Sequence, residues 1–287
     1  MLKRTLTALL LIPPVIYLIG WSPPWLFLLA VVVSVELGLR EFFALTRQMG
    51  LKAFSWAGYV AGAGVCAAQL FPGSGYFALA VLLLLMVLIP SLALRPSVDL
   101  KDYLVATAVT VFGILYVSLT LSCLLAIRLS PPQAWIGLLF GPGSAEQPSV
   151  AGARVLLLLF LVIWLGDICA YVVGRSVGRT PFFARISPRK TWEGALAGLV
   201  GSLLVASAFV HWFWKAADLK AVMLTAGWVA VAGQTGDLVE SALKRGAHQK
   251  DSGTLLPGHG GFLDRIDSLL FAAPALWLVL AAKGFLG

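Results

Sequence analysis

The residues able to do chemistry are concentrated between Asp237 and Asp267, where four aspartates, a glutamate, two lysines, two arginines and two histidines fall within 31 positions. Asp237, Glu240, Ser241 and Lys244 are spaced 0, 3, 4 and 7, so a helix puts all four on one face. Asp264 and Asp267 are three apart and share a face if a second helix begins there. Between them, Pro257-Gly258-His259-Gly260-Gly261 reads as a tight turn whose backbone can approach a ligand closely. Carboxylates converging from two helix ends offer oxygen ligands to a hard cation such as Mg²⁺, which keeps several waters and shares substrate phosphates. Lys244, Arg245, Lys250 and Arg265 are then phosphate partners. A cation, basic side chains and backbone donors together position and neutralise phosphates for reaction at phosphorus. A solvated charged loop accounts for Lys250 and Asp251 alone, but not for acids recurring on one face of both flanking helices.

A second polar stretch is Arg185-Ile186-Ser187-Pro188-Arg189-Lys190-Thr191. Ser followed by Pro predicts a helix start there, and the free N–H groups of that start, with Arg189, Lys190 and Thr191, make a phosphate site. The plainer alternative is a basic loop followed by a capped helix. Asp167, Tyr171, Gly174 and Gly178 form one helical stripe that ends beside Arg175 and Arg179. Ionisable groups at membrane depth are costly, so Asp167 is expected to face a polar cavity; a hydrogen bond between packed helices is the alternative. Glu36 and Arg40, at i and i+4, are expected to form a structural ion pair. Gly194, Gly198 and Gly201 permit close helix packing.

The elements that must position these groups are apolar. Of 287 residues 60% are hydrophobic and 12% charged, against about 25% charged in soluble domains, so the composition is that of a membrane protein. Nine apolar segments read as spanning helices, near 5–20, 24–40, 54–71, 75–94, 104–127, 153–174, 192–214, 219–236 and 266–285. The first follows Lys3 and Arg4 without a small-residue cleavage pattern and reads as retained. Pro13-Pro14 and Pro23-Pro24 shorten or kink the first pair. With nine spans, sixteen lysines and arginines fall on the side of the N-terminus and five on the other, which predicts a cytoplasmic location for the polar stretch. The opposite loop near 128–152 reads as an external linker. The net charge of +8 suits anionic lipid or a phosphorylated substrate; the basic residues are too scattered for a nucleic-acid partner. Cys66, Cys123 and Cys169 lie far apart in apolar runs and read as small buried hydrophobes. The expected fold is an all-α integral membrane protein of about nine transmembrane helices, with the polar site at the cytoplasmic ends of the C-terminal helices. Residues 1–150 would be scaffold with candidate dimer contacts, and 151–287 the catalytic part of one integrated membrane domain.

Ser241-x-Leu243-Lys244-Arg245-x4-Lys250-Asp251-x-Gly253-x2-Leu256-Pro257-x-His259-Gly260-Gly261-Phe262-x-Asp264-Arg265-Ile266-Asp267 resembles the signature of phosphatidate cytidylyltransferases, the CDP-diacylglycerol synthases, through all 27 positions. Ser187-Pro188-x-Lys190-Thr191-Trp192-Glu193-Gly194 resembles a second stretch of that family. The resemblance is specific over about 160–270. It implies CTP and phosphatidate as substrates, CDP-diacylglycerol and pyrophosphate as products, Mg²⁺ dependence with the number of ions open, and a site at the cytoplasmic face of a bacterial-type inner membrane. On that reading Asp237 and Asp264 are the first metal ligands, with Asp267 and Asp251 next. Lys244, Arg245, Lys250 and Arg265 hold phosphates. Ser187, Lys190 and Thr191 form an opposite phosphate wall, with Ser241, Gly260 and Gly261 also on substrate. Asp167 and Tyr171 line the floor, and His259 orients the glycine turn or donates to a phosphate. A homodimer surrounded by membrane lipid is the expected assembly.

Two rivals are weaker. A CDP-alcohol phosphatidyltransferase looks like DGxxAR with later aspartates four apart, whereas here Asp167 is followed by Ile-Cys-Ala-Tyr and the late pair is spaced by three. A transporter would be expected to show inverted repeats, and the acids here gather at one mouth.

Overall fold

The computed structural model describes residues 12–70, 74–95, 98–129, 148–215, 217–255 and 260–286. Among these residues the chain forms nine helices and no strand. They are α1 (12–20), α2 (Pro24–Gln48), α3 (Ser55–Ala68), α4 (Ser74–Ser91), α5 (Tyr103–Leu129), α6 (Pro148–Ser176), α7 (Trp192–Phe213), α8 (Leu219–Gly246) and α9 (Leu263–Leu286). Four described stretches are long and apolar enough to cross a membrane: Tyr103–Leu129, Val150–Ser176, Trp192–Phe213 and Leu263–Ala282. The all-helical fold is thus the one expected from the apolar runs. His259, the start of the glycine turn and most of the loop near 128–152 lie outside the described residues.

Two compact units divide the chain. The first takes Met1–Leu18, Ser22–Ala126 and Leu243–Ile266; the second takes Ile19–Trp21, Ile127–Ala242 and Asp267–Gly287. In the first, α2, α3 and α5 pack through rings and small residues. Phe42 and Phe43 meet edge to face at 5.5 Å, and Phe112 stacks on Tyr116 at 5.5 Å. Gly58 and Gly62 let α3 approach, since a Cβ there would come within 2.5 Å of the Phe43 ring and 2.8 Å of Ser118 Oγ. Within α5 the backbone takes a π turn at Ile114–Leu119; hydropathy does not reveal such an insertion.

In the second unit α6 and α7 lie against each other on a glycine seam. A Cβ at Gly194 would be 2.8 Å from the Ala170 carbonyl, and one at Gly201 2.6 Å from Cys169 Sγ. Small residues are how helices approach closely where apolar side chains gain nothing from leaving lipid. The contact is fastened by Ser202 Oγ donating to the Val162 carbonyl at 2.8 Å, while Gln234 Nε2 of α8 donates to the Ala195 carbonyl of α7 at 3.0 Å.

Two local expectations are corrected. The helix after Ser187-Pro188 begins later, at Trp192, because Ser187 closes a turn by accepting from the Lys190 N–H at 3.1 Å. Thr191, in extended backbone and bridged to Pro181, then serves as the cap, accepting from the Gly194 N–H at 3.2 Å. Glu36 makes no ion pair with Arg40: its Oε1 is buried without a hydrogen-bond partner, and Arg40 is exposed. Shared helical face alone does not bring the two heads together when one side chain turns inward.

Candidate active site

Helices α8 and α9 each carry residues of both units, which divides their charged groups. Asp237, Glu240, Ser241 and Asp267 belong to the second unit; Lys244, Arg245, Lys250, Asp251, Asp264 and Arg265 belong to the first.

In the second unit Lys190 Nζ lies 2.6 Å from Asp237 Oδ2, both half-buried. Ser241, one turn along α8, donates weakly to Asp237 Oδ1 at 3.5 Å. The expected helical face therefore exists, but Glu240 on it is fully buried. Gly236 brings α8 onto α9: a Cβ there would stand 2.6 Å from the Asp267 carbonyl. Asp267 takes the Ser268 N–H at 2.6 Å and lies within electrostatic reach of Asp237, Glu240 and Asp167. Asp167, in α6, faces the charges of Asp237 and Lys190 and is exposed although its helix is apolar. Tyr171 is exposed and its hydroxyl accepts from Arg175 Nη1 at 2.7 Å. Gly174 and Gly178, the rest of that stripe, pack instead on Thr191: Cβ atoms there would be 3.3 and 2.5 Å from its Oγ1. Ser187 is half-buried in the loop leading to Lys190.

The first unit arranges its charges differently. Asp264 Oδ1 accepts from Lys244 Nζ at 2.5 Å, and its Oδ2 accepts from the Ser252 and Gly261 N–H groups at 3.0 and 2.8 Å. Both side chains are nearly enclosed, 11% exposed for Lys244 and 7% for Asp264. Gly260 holds φ +81°, where a Cβ would be 2.8 Å from Asp264 Oδ2, so only glycine suits the turn. The Gly261 amide, read from sequence as a substrate donor, is thereby committed to Asp264. Arg245 donates to the Gln249 carbonyl at 2.9 Å. Arg245, Lys250, Asp251 and Arg265 are all exposed. Spacing gives no hint of Glu41, whose carboxylate reaches this loop from α2; the available signal is an acid beside Arg40 near the end of an apolar helix.

Among the described residues no three His, Cys, Asp or Glu side chains converge into a ready-made metal cage. In this structure Asp264 Oδ1 accepts one hydrogen bond, from Lys244, and Oδ2 accepts two, from amides. Asp167, Asp237 and Asp267 are hard oxygen donors within electrostatic reach of one another and beside the ammonium of Lys190, so single members of the group could offer oxygens to a cation. Such a partial set matches Mg²⁺, which binds through one or two carboxylates and completes its shell with water and phosphate.

An all-helical chain with acids and lysines gathered where its C-terminal helices carry their polar residues belongs to the cytidylyltransferase family, whose model matches residues 2–282. Particular relatives sharpen this. A phosphatidate cytidylyltransferase of Synechocystis sp. is 33% identical over 268 residues, covering 88% of this chain and 87% of its own length. Phosphatidate cytidylyltransferases of Bacillus subtilis and Staphylococcus haemolyticus are 45% and 43% identical over 130 and 129 residues, 45% of this chain. Against those two, the chain spans about half of the relative's length, 48% and 50%.

Proposed function

We propose that this protein is a phosphatidate cytidylyltransferase of the bacterial inner membrane, working at the cytoplasmic face through nine spans and as a homodimer. The observation that carries the reading is the joining of Lys190, from one stretch that resembles the family, to Asp237, four residues before the other, with Asp267 and Asp167 within electrostatic reach.

The reaction asks little covalent chemistry of the protein. A phosphate oxygen of phosphatidate attacks the α-phosphorus of CTP; the bond from that phosphorus to the bridging oxygen breaks, and pyrophosphate leaves with the electron pair. The attacking oxygen is already anionic, so neither a serine nucleophile nor a general base is required. Two anions must nevertheless meet, and charge neutralisation and positioning supply most of the rate. Lys190, held by Asp237 and only half-buried, can present its ammonium to a phosphate oxygen while Asp237 keeps it aimed. Thr191 fixes the loop before it by capping α7. A divalent cation, when bound, supplies the remaining positive charge, with Asp237, Asp267 and Asp167 the residues that would hold it. Arg245, Lys250 and Arg265, exposed in the first unit, are basic groups that a triphosphate arriving from water can reach.

The membrane location suits a substrate whose acyl chains stay in lipid. Four helices of crossing length and the lysine and arginine excess on one side support that placement. The test is incorporation of label from CTP into chloroform-soluble lipid by purified protein with phosphatidate and Mg²⁺. Labelled CDP-diacylglycerol that disappears in excess EDTA is expected. Lipid product formed at full rate in EDTA would reject the cation, and no lipid product at all would reject the function.

A further inference from the structure

We infer that Glu41 is a positioning residue for the transfer reaction: it locks the loop that carries Lys250 and Asp251 together with the Lys244–Asp264 pair. The inference rests on the function proposed above and concerns residues of the first unit alone.

Glu41 is buried in α2 and takes three hydrogen bonds, all from neutral donors. Its Oε1 accepts from the Phe262 N–H at 2.9 Å; its Oε2 accepts from the Ser252 hydroxyl at 2.7 Å and the Leu263 N–H at 2.8 Å. The two amides open α9, and a helix leaves its first amides without intrahelical acceptors. A carboxylate there satisfies them and faces the positive end of the helix dipole. Helices are ordinarily capped by an adjacent residue, yet this acid lies 222 positions earlier in the chain. The cap is therefore also a tie between α2 and the start of α9.

The tie continues to the charged groups. Ser252 Oγ accepts from the Asp264 N–H at 3.3 Å, and the Ser252 N–H donates to Asp264 Oδ2 at 3.0 Å. Asp264 Oδ1 in turn accepts from Lys244 Nζ. Glu41, Ser252, Asp264 and Lys244 thus form one unbroken chain of bonds. The slot around the carboxylate admits no other side chain: a Cβ at Gly253 would be 2.5 Å from Oε1, and one at Gly261 2.4 Å from Oε2. The start of α9 consequently has its amides engaged by protein, so Glu41 sets where Lys250 and its neighbours stand against the reacting phosphates in the transition state, rather than offering a helix N-terminus to the ligand.

Donor geometry makes the role testable. A carboxylate accepts at both oxygens, whereas the carboxamide of Glu41→Gln must point an NH₂ at a donor. The experiment measures kcat and KM for CTP in wild type, Glu41→Gln, Ser252→Ala and the double variant, each as monodisperse protein in detergent. Each single change should lower kcat about tenfold or more with KM moved less than about threefold, because misplacement costs the transition state. The double variant should be no slower than the slower single, since both break the same chain. Wild-type kcat in either single, or losses that multiply in the double, overturns the inference. Should Glu41→Gln fail to fold, the Ser252→Ala kcat decides. A wild type that makes no CDP-diacylglycerol sinks the proposed function and this inference together; an active wild type with unaffected variants sinks this inference alone.

Discussion

The two units treat aspartate in opposite ways. Asp264 of the first unit is surrounded by donors, one ammonium and two amides on two oxygens. Asp267 of the second, three positions further along the same helix, takes one amide and faces three other acids. Equal residue type and neighbouring sequence position therefore conceal opposite electrostatics. A carboxylate that three donors of its own fold already engage helps to hold that fold together. A carboxylate kept close to others, at a cost in repulsion, has capacity left for something positive. The difference separates a carboxylate tied into a loop by donors from one set among other acids.

The largest effect is expected where the acids crowd. Asp237→Asn and Asp267→Asn should each lower kcat more than about 100-fold, the scale on which removal of an electrostatic contact to the transition state is felt. Asp267→Asn should not lower the melting temperature in detergent, because a neutral amide suits a position set among Asp237, Glu240 and Asp167. An Asp267→Asn variant that melts markedly lower yet keeps wild-type kcat would reverse the assignment and make Asp267 a structural residue.

Next in size is the saturated carboxylate. Asp264→Asn should destabilise by about 3 kcal/mol, since it takes one carboxylate from a nearly enclosed lysine and an acceptor from two amides. Adding Lys244→Met should recover part of that loss, because the enclosed ammonium that had donated to Asp264 goes with it. Thermal unfolding of the two variants measures both. Asp264→Asn with wild-type stability and no activity would instead place Asp264 among the groups that touch substrate or metal.

Much of this architecture is legible in the sequence, for physical reasons that also mark where legibility stops. Apolar runs bounded by Pro23-Pro24 or by charged loops give the helices, and helical spacing puts Asp237 and Ser241 one turn apart, as their 3.5 Å contact shows. Spacing cannot distinguish Asp264 from Asp267. Both sit at the start of α9, and what separates them is the donors that a distant loop brings to one of them. Glu41 is invisible for the same reason, since its partners lie 211 to 222 positions away. Lys190 is found from sequence as a basic residue of a phosphate loop. Its pairing with Asp237 is a tertiary fact, since it joins the loop before α7 to a residue of α8 that lies 47 positions on. The misplaced helix start at Ser187 is a local failure: Ser-Pro and Thr191 both resemble caps, and the bridge from Thr191 to Pro181 decides between them.

The smallest effect sharpens the comparison inside the first unit. Lys52 and Asp102 make a contact of 2.5 Å, the same length as that of Lys244 and Asp264, but their side chains are 67% and 41% exposed. The hydrogen bond to Asp102 and then its charge push the Lys52 ammonium above the ordinary lysine value, against an opposing desolvation and with a lesser contribution from Asp99. A cation with a raised folded-state pKa contributes its stability in full below the unfolded pKa, about 10.4 for lysine. It loses that contribution only as pH climbs through the raised value. Between pH 6 and 9 the pair's contribution is consequently flat, and water screens most of it. Lys52→Met should leave the melting temperature unchanged across that range and insensitive to added salt, whereas Lys244→Met should lower it clearly. A Lys52→Met shift as large as that of Lys244→Met would show that contact length, rather than enclosure, sets the strength of these pairs. The contrast drawn between filled and crowded carboxylates would then need another cause.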